Sequence, residues 1–365
     1  MKIALLHSMI TEGNNGAEKL SYLLARQLGS KIYTCGFDPK VEESYPGISK
    51  MVVIEGIRHP GSFSRQYFEM MRTMTKRTDI DEDFIIYSGN HPCFRVRRDP
   101  TPYLYFCHTP ERGFFDLKEE LIQKMKSWGF PRYIIARILY ERRRKMDLDL
   151  FRNVIDPKRV VTNSELVRKR YENAYGHLPR CAVGAPIETE RYRHREPEGY
   201  LFTAGGLRWN KRVDWQIRAV AKAGKRLKVA GDGPMKAELQ ELAKKVGADV
   251  EFLGRVDERE LLDLYSRCDG FLFSAKEEDF GMVPLEALAS GKPVISVNEG
   301  GPLEYLNDRN SFLFNDIEGL VRILRSIESE RFSSMKKNCI ETARYFDIKA
   351  FTARVVKVVH SIQGT

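Results

Sequence analysis

The sequence predicts an α/β protein of two Rossmann-like parallel-sheet domains facing each other across a cleft. Three observations predict it. At 365 residues the chain is too long for one ordinary core and suits two domains of roughly 150–200 residues each. Strand-sized apolar runs alternate with helix-spaced segments in two successive series, which implies parallel strands joined by right-handed crossovers. Between the series, Pro186–Tyr200 carries two prolines, many charges and no core periodicity, as a linker does. The expected division is 1–186 for the first domain and 187–346 for the second. A C-terminal helix near 347–365 is expected to pack back on the first.

The first series opens with a buried strand at Lys2–His7. After a Gly/Asn loop, Ala17–Leu28 places Leu20, Leu23, Leu24 and Leu28 at helical spacing. Strand-like segments follow at Lys31–Thr34, Met51–Ile54, Phe84–Tyr87, Tyr103–Cys107 and Arg159–Thr162. The second series runs Leu201–Ala204, Leu227–Ala230, Val250–Phe252, Gly270–Phe273, Pro293–Val297 and Ser311–Phe314, and Ala350–Ile362 is helical but belongs clearly to neither. In such sheets ligands bind at the carboxyl ends of the strands, so the chemistry is sought in the loops that follow them.

Composition narrows the class. With 42% hydrophobic and 30% charged residues and no low-complexity tract, the chain is a folded globular protein. No apolar run approaches the ~18–20 residues of a membrane span, and Met1–His7 is too short for a signal peptide, so a cytoplasmic location is expected. The six cysteines stand singly, without zinc spacing, so neither a disulfide framework nor a metal site is expected. The net charge of +10 is uneven: His91–Arg180 holds 20 Lys and Arg against 11 Asp and Glu, a local +9. Such a surface suits phosphates, nucleic acid or an anionic membrane, or is simply a set of solvated helix faces.

Four glycine-bearing loops follow predicted strands. The first, Thr11–Ala17, leads into a helix, where Asn15 and Gly16 can offer N–H groups to an anion, but it is no Gly-x-Gly-x-x-Gly fingerprint. The second, Gly205–Arg212, sets Arg208, Lys211 and Arg212 beside Gly205 and Gly206. Cations at a helix start oppose the helix dipole, which favours a phosphate partner over plain surface charge. The third, Gly231-Asp232-Gly233-Pro234, is almost wholly explained as turn chemistry, with Pro234 at a first helical position. The fourth runs from Phe271 to Ile295. An acidic loop ends in a short helix from about Met282, with Pro284 in its first turn and Gly291 as its stop. The N–H groups of Gly281, Met282 and Val283 face outward there, and Glu278 and Glu286 suit sugar and ribose hydroxyls. Solvent exposure is the plain alternative for Glu278, and a weak helix-dipole contact for Glu286.

Taken together these loops resemble the retaining GT-B glycosyltransferases of glycosyltransferase family four, over nearly the whole chain and most closely from Leu201 to Phe314. The most specific element is Glu-x7-Glu, here Glu278 to Glu286, followed by Ala-Leu-Ala-Ser-Gly-Lys-Pro-Val. Lys211-Arg212-Val213-Asp214, Gly231–Pro234, Phe252-Leu253-Gly254 and Gly300-Gly301-Pro302-Leu303-Glu304 stand in the family's order. In the first half, His108-Thr109-Pro110-Glu111-Arg112 is similar to a stretch of the bacterial and archaeal mannosyltransferases of that family. Asn163-Ser164 and Gly184–Glu188 also fit. One position departs: the family's Arg five residues before Lys211 is Gly206 here, and Arg208 is the substitute the sequence offers.

The resemblance implies a catalytic set of Glu278, Lys211, His108 and Arg208. It implies donor contacts from Gly16, Asn15, Gly206, Gly231, Arg255, Val256, Phe280, Gly281, Met282, Val283 and Glu286, with Arg112 on the acceptor or sugar side. Lys211 and Arg208 would stabilise the departing nucleoside diphosphate, Glu278 bind sugar hydroxyls and Glu286 the ribose, and the backbone near Arg255 and Val256 pack on the base. No cofactor and no metal are expected, and the sequence has no Asp-x-Asp triplet. The expected partners are a nucleotide-sugar donor, best matched by GDP-mannose with a UDP-sugar as the alternative, and a glycan or lipid-linked acceptor. Phe130–Lys145, apolar yet net +5, is either an anionic-membrane contact, which would put the protein on the inner face of the cell membrane, or an ordinary basic surface helix. Two rivals are weaker: a nucleotide-sugar epimerase, against which Glu-x7-Glu argues, and a nucleic-acid-binding protein, for which the basic residues lack interleaved aromatics.

Overall fold

The structure, a computed structural model, describes residues 1–10, 16–57, 80–327 and 329–364. The chain divides into two compact units, Met1–Gly184 with Thr352–Thr365, and Ala185–Phe351.

The first unit is built on seven parallel strands: β1 (Ile3–His7), β2 (Ile32–Gly36), β3 (Val52–Ile57), β4 (Phe84–Ser88), β5 (Tyr103–Cys107), β6 (Val160–Thr162) and β7 (Cys181–Ala182). Their order is β3-β2-β1-β4-β5-β6-β7, so the winding reverses between β1 and β4. β1, β4 and β5 are almost fully buried, which is why they read as unbroken apolar runs in the sequence. β7 was not anticipated: it is two half-buried residues at the sheet edge and carries no apolar run. An aromatic group, Tyr105, Phe151, Tyr171 and Tyr175, packs behind the sheet with ring centroids 4.7–6.4 Å apart. The last helix, Ile348–Gln363, is tied to this unit by Arg354, whose Nε donates to the Val183 carbonyl, and by Arg180, which donates to Ser361 Oγ.

The second unit has six parallel strands: β8 (Leu201–Ala204), β9 (Leu227–Ala230), β10 (Val250–Gly254), β11 (Gly270–Phe273), β12 (Val294–Val297) and β13 (Ser311–Phe314). Their order, β10-β9-β8-β11-β12-β13, reverses between β8 and β11. Both units are therefore doubly wound, and in each the first strand of its series lies at the reversal. Helices Val213–Ala223 and Ile317–Ser326 bury Ile217, Val220, Leu320 and Leu324 against this sheet. Helix Met282–Ala289 stops at Ser290, with Gly291 at φ +70° just beyond, as its sequence predicts. The third glycine loop differs from expectation. Pro234 sits in a turn and the helix starts at Lys236, because Met235 N–H is drawn to the Leu207 carbonyl of the neighbouring loop.

Candidate functional site

Where winding reverses, the loops leaving two adjacent strands diverge and open a crevice at their carboxyl ends. Candidate residues gather at both reversals.

In the second unit the loop after β8 and the loop after β11 are sewn together. Ser274 Oγ donates to the carbonyls of Lys211 (2.8 Å) and Arg212 (2.9 Å), and itself accepts from Gln216 Nε2 (2.8 Å). Lys276 N–H donates to the Asn210 carbonyl (2.7 Å). The result brings Lys211 Nζ to 2.5 Å from Glu278 Oε2, although 67 residues separate them. Both side chains keep about a quarter to a third of their surface exposed, so the pair is open to a ligand. A second pair lies beside it: Glu299 Oε1 accepts from Arg212 Nη1 (2.9 Å) and from Glu277 N–H (3.1 Å). Arg212 and Glu277 are the two non-glycine residues with positive φ among the described residues, at +48° and +46°. Each such conformation costs about 1–3 kcal/mol and persists where surrounding bonds over-determine it. Here both strained residues are bonded to the same carboxylate.

Backbone clasps fix the loops further. Gly301 N–H donates to the Glu278 carbonyl at 2.7 Å, and a Cβ on Gly301 would fall 2.0 Å from the Asp279 carbonyl oxygen. Gly231 is required for the same reason, since a Cβ there would meet Gly205 O at 1.9 Å; its N–H is given to Gly254 O. Gly231 is thus accounted for by loop-on-loop packing. Gly206 lies beside Arg208: a Cβ at 206 would stand 3.9 Å from Arg208 Nε, and Arg208 is exposed.

The remaining second-unit residues differ in what they offer. Glu286 is buried, and its Oε2 accepts from Tyr265 OH (3.0 Å), with Tyr192 a second hydrogen-bond partner. Both phenols are held well above their usual range, first by burial and then by the Glu286 charge. This replaces the helix-dipole alternative with a specific tyrosine cage. The Phe280 ring is committed to Tyr305 and Phe346, 5.4 Å from each, so it is core and not a free stacking face. Gly281 caps helix Met282–Ala289 at φ +81°, and Met282 and Val283 are half-buried in its first turn. Arg255 is exposed and Val256 half-buried, in the turn after the edge strand β10. With strands about 4.8 Å apart, the loops after β10, β9, β8 and β11 span roughly 14 Å along one sheet edge.

In the first unit the reversal is electrically different. His7 and Ser88 end β1 and β4 and are register partners. His7 Nδ1 lies 3.2 Å from both Ser88 Oγ and Ser21 Oγ, the two hydroxyls are 2.7 Å apart, and His108 Nε2 is 2.7 Å from Ser88 Oγ. Counting protons orders this cluster. The Ser21 hydroxyl donates to the Ala17 carbonyl (2.8 Å), so Ser88 donates to Ser21, and both histidines donate toward the serines. Burial pushes His7 down to about 4 and His108 down to about 3, with His7 adding to the effect on His108, so both are neutral near pH 7. His91 is likewise lowered to about 3, by desolvation and then by Arg143, whose Nη2 it contacts. His7, Glu18, Asn90, His91, His108 and Thr109 line a pocket of about 320 Å³. Gly16 opens the adjoining helix and is exposed; Asn15 lies outside the described residues. Arg112 is bound to Asp116 through both Nε (2.7 Å) and Nη2 (2.6 Å). Among the described residues no three His, Cys, Asp or Glu side chains converge as a metal site, and no helix is long and apolar enough to cross a membrane.

Sequence reasoning missed Glu299, Ser274, His7, Ser21, Ser88 and His91. A signal existed for two of them: His7 and Ser88 are polar residues ending otherwise apolar strands. Their pairing requires the strand order.

Comparison with known proteins adds a family match. Residues 186–346 match the model described as "Glycosyl transferases group 1", a span that covers nearly all of the second unit and holds Lys211, Glu278 and Glu286. An uncharacterized glycosyltransferase of Methanocaldococcus jannaschii is 28% identical over 185 residues, 47% of each chain. The human alpha-1,3/1,6-mannosyltransferase ALG2 is 32% identical over 254 residues, 62% of this chain and 60% of that protein. The alignments thus span about half the length of these curated relatives. Anabaena HepE, solved in complex with UDP and glucose, superposes with a TM-score of 0.73 over 99% of this chain and 100% of that one, at 17% identity. That likeness shows the fold: two Rossmann-like α/β units of the GT-B type.

Proposed function

We propose that this chain transfers a hexosyl group, with retention at the anomeric carbon, from a nucleoside-diphosphate sugar to a hydroxyl of a glycan or lipid-linked acceptor. The observation that carries this reading is the Lys211–Glu278 pair at the β8/β11 reversal, on loops within the segment that matches glycosyl transferases group 1. An incoming diphosphate takes Lys211, and Arg208 joins it. Glu278, released from the lysine, accepts hydrogen bonds from the sugar hydroxyls. The carboxylate of Glu286, oriented by Tyr265, takes the ribose, and the base rests near Arg255 and Val256. The roughly 14 Å run of loops along the sheet edge suits an extended ligand of this kind.

In the transfer step a bond forms between the acceptor oxygen and the anomeric carbon while the bond from that carbon to the diphosphate oxygen breaks. The acceptor proton goes to the departing diphosphate. Lys211, Arg208 and the helix N-terminus at Gly281 stabilise the developing charge, at about 3–4 kcal/mol for a well-placed donor. No metal and no cofactor are assigned to the step, so excess EDTA leaves the rate unchanged under this reading. The neutral His108, with its neighbours His7 and His91, lines the acceptor or sugar side.

Mannose from GDP-mannose is the donor proposed, supported by the His108–Arg112 stretch and by the mannosyltransferase among the relatives. The second reading, a UDP-sugar, is favoured by the likeness to a protein solved with UDP and glucose. Measuring GDP released from GDP-mannose against UDP released from UDP-glucose, with a glycan acceptor pool, separates them. GDP release at least tenfold faster supports the first, the reverse supports the second, and release of neither overturns the transferase reading.

A further inference from the structure

Of the twelve large apolar side chains exposed among the described residues, seven lie between 128 and 146, which marks one patch. They are Trp128 and Phe130, in the connection before helix Arg132–Asn153, then Ile134, Ile135, Ile138 and Leu139 in its first two turns, and Met146 further on. Phe130 is 83% exposed and Ile135 58%. The opposite face of the same helix is the one that packs: Tyr140, Asp147, Leu150 and Phe151 are buried, and Tyr140 joins Phe114, Ile122 and Met125 in a small core. Apolar residues therefore occupy both sides of this helix, and the outer set has no packing role in the described residues.

Charge says what suits the outer set. From Lys124 to Lys145 there are eight Lys and Arg against one acid, Glu141, and that acid is paired with Arg137 at 2.7 Å. Lys124, Lys126 and Arg132 flank the patch on one side, Arg142 and Lys145 on the other, all exposed. A protein partner would match this with an acidic, apolar-centred face. A bilayer carrying anionic headgroups matches it without further design. The aliphatic and aromatic side chains enter the headgroup–acyl boundary while long basic side chains reach back to phosphates.

We infer that Trp128, Phe130 and the outer face of helix Arg132–Asn153 dock the protein on an anionic lipid surface. The helix also presents Arg143 inward to His91, which lines the first-unit pocket. Docking therefore sets that pocket a helix-width from the lipid headgroups, where a bilayer-anchored acceptor presents its hydroxyls. This last clause rests on the transferase reading; the docking does not.

The test is co-sedimentation of the full chain with vesicles of phosphatidylcholine alone and with one-third phosphatidylglycerol, with no donor or acceptor present. The expected result is binding to the anionic vesicles at least tenfold stronger than to the zwitterionic ones, weakening as salt is raised. The double variant Ile135→Asp with Ile138→Asp should lose at least tenfold in binding with an unchanged melting temperature, because neither side chain is buried among the described residues. Leu178→Asp, another exposed apolar position in the same unit, should leave binding as it is. The inference is overturned if the wild-type chain stays in the supernatant with both vesicles. It is equally overturned if the double variant binds like wild type, or if the patch proves to hold a second copy, seen as a dimer that Ile135→Asp dissociates without any vesicle binding. Because no sugar transfer is read, failure here leaves the transferase reading untouched, and failure of that reading leaves this one standing.

Discussion

The two sheets reverse their winding at equivalent points, yet the β8/β11 crevice is built on ion pairs and the β1/β4 pocket on three imidazoles held neutral beside the Glu18 side chain. The first holds Lys211, Glu278, Arg212 and Glu299 as ion pairs with partly open surfaces. The second holds His7, His91 and His108, all pushed far below the usual histidine range by burial, with Arg143 adding to the effect at His91 and His7 adding to it at His108. The same topology thus delivers two electrostatic settings, and what separates them is desolvation at the strand ends. A site for a diphosphate needs charge that stays in place. A site for hydroxyls needs neutral donors and acceptors that do not repel one another when three imidazoles share one pocket.

Four experiments strain this contrast, beginning with the largest effect. Lys211→Ala and Glu278→Gln should each lower kcat/KM for transfer by about 10²–10³, the value of a preorganised charged contact. A loss below tenfold in both would mean that the charged crevice is not where the reaction runs. Next comes acid. A histidine whose folded pKa lies below 6.5 leaves the unfolded chain binding more protons, so stability present above pH 6.5 is lost as pH falls toward the folded value. For His108 the loss at pH 5 is on the order of 2 kcal/mol. His108→Gln should therefore flatten the fall in melting temperature between pH 6.5 and 4, and an unchanged slope would contradict a neutral His108. Third, Ser88→Ala strips the acceptor from His108 Nε2 and the donor to Ser21, at about 1–3 kcal/mol of stability by chemical denaturation. A neutral result would mean that the hydroxyl cluster is not a connected network. The smallest is Glu277→Gly, which relieves a left-handed backbone and should raise stability by about 0.5 kcal/mol. A drop instead would show that the Glu277 side chain outweighs its strain.

The sequence was informative about what is local. Short apolar runs identify strands buried on both faces, and β11 and β12 are readable that way, whereas β9 and β10 carry Lys228 and Glu251 and β10 is half-buried throughout. β7 is not, because two half-buried edge residues make no pattern. Glycines followed by cations or carboxylates mark the loops at strand ends, so Lys211 and Glu278 were legible as candidates. Their contact was not, because it depends on β8 and β11 being neighbours and on Ser274 binding two carbonyls across the crevice. Glu299 was invisible for the same reason: its role lies in bonds to Arg212 and to the Glu277 backbone. In the first unit His108 stood out by motif, whereas His7, Ser21 and Ser88 become meaningful only once β1 and β4 are known to run side by side. The place of the Phe280 ring was equally illegible: it fills a three-ring cluster with Tyr305 and Phe346, which only the fold brings together.

The most direct test is calorimetric titration of GDP and of UDP onto the wild-type chain, Lys211→Ala and His108→Gln. The account predicts that one nucleotide binds, that Lys211→Ala weakens it at least tenfold, and that His108→Gln leaves it unchanged. Binding lost in His108→Gln and kept in Lys211→Ala would place the diphosphate at the β1/β4 reversal and contradict the account.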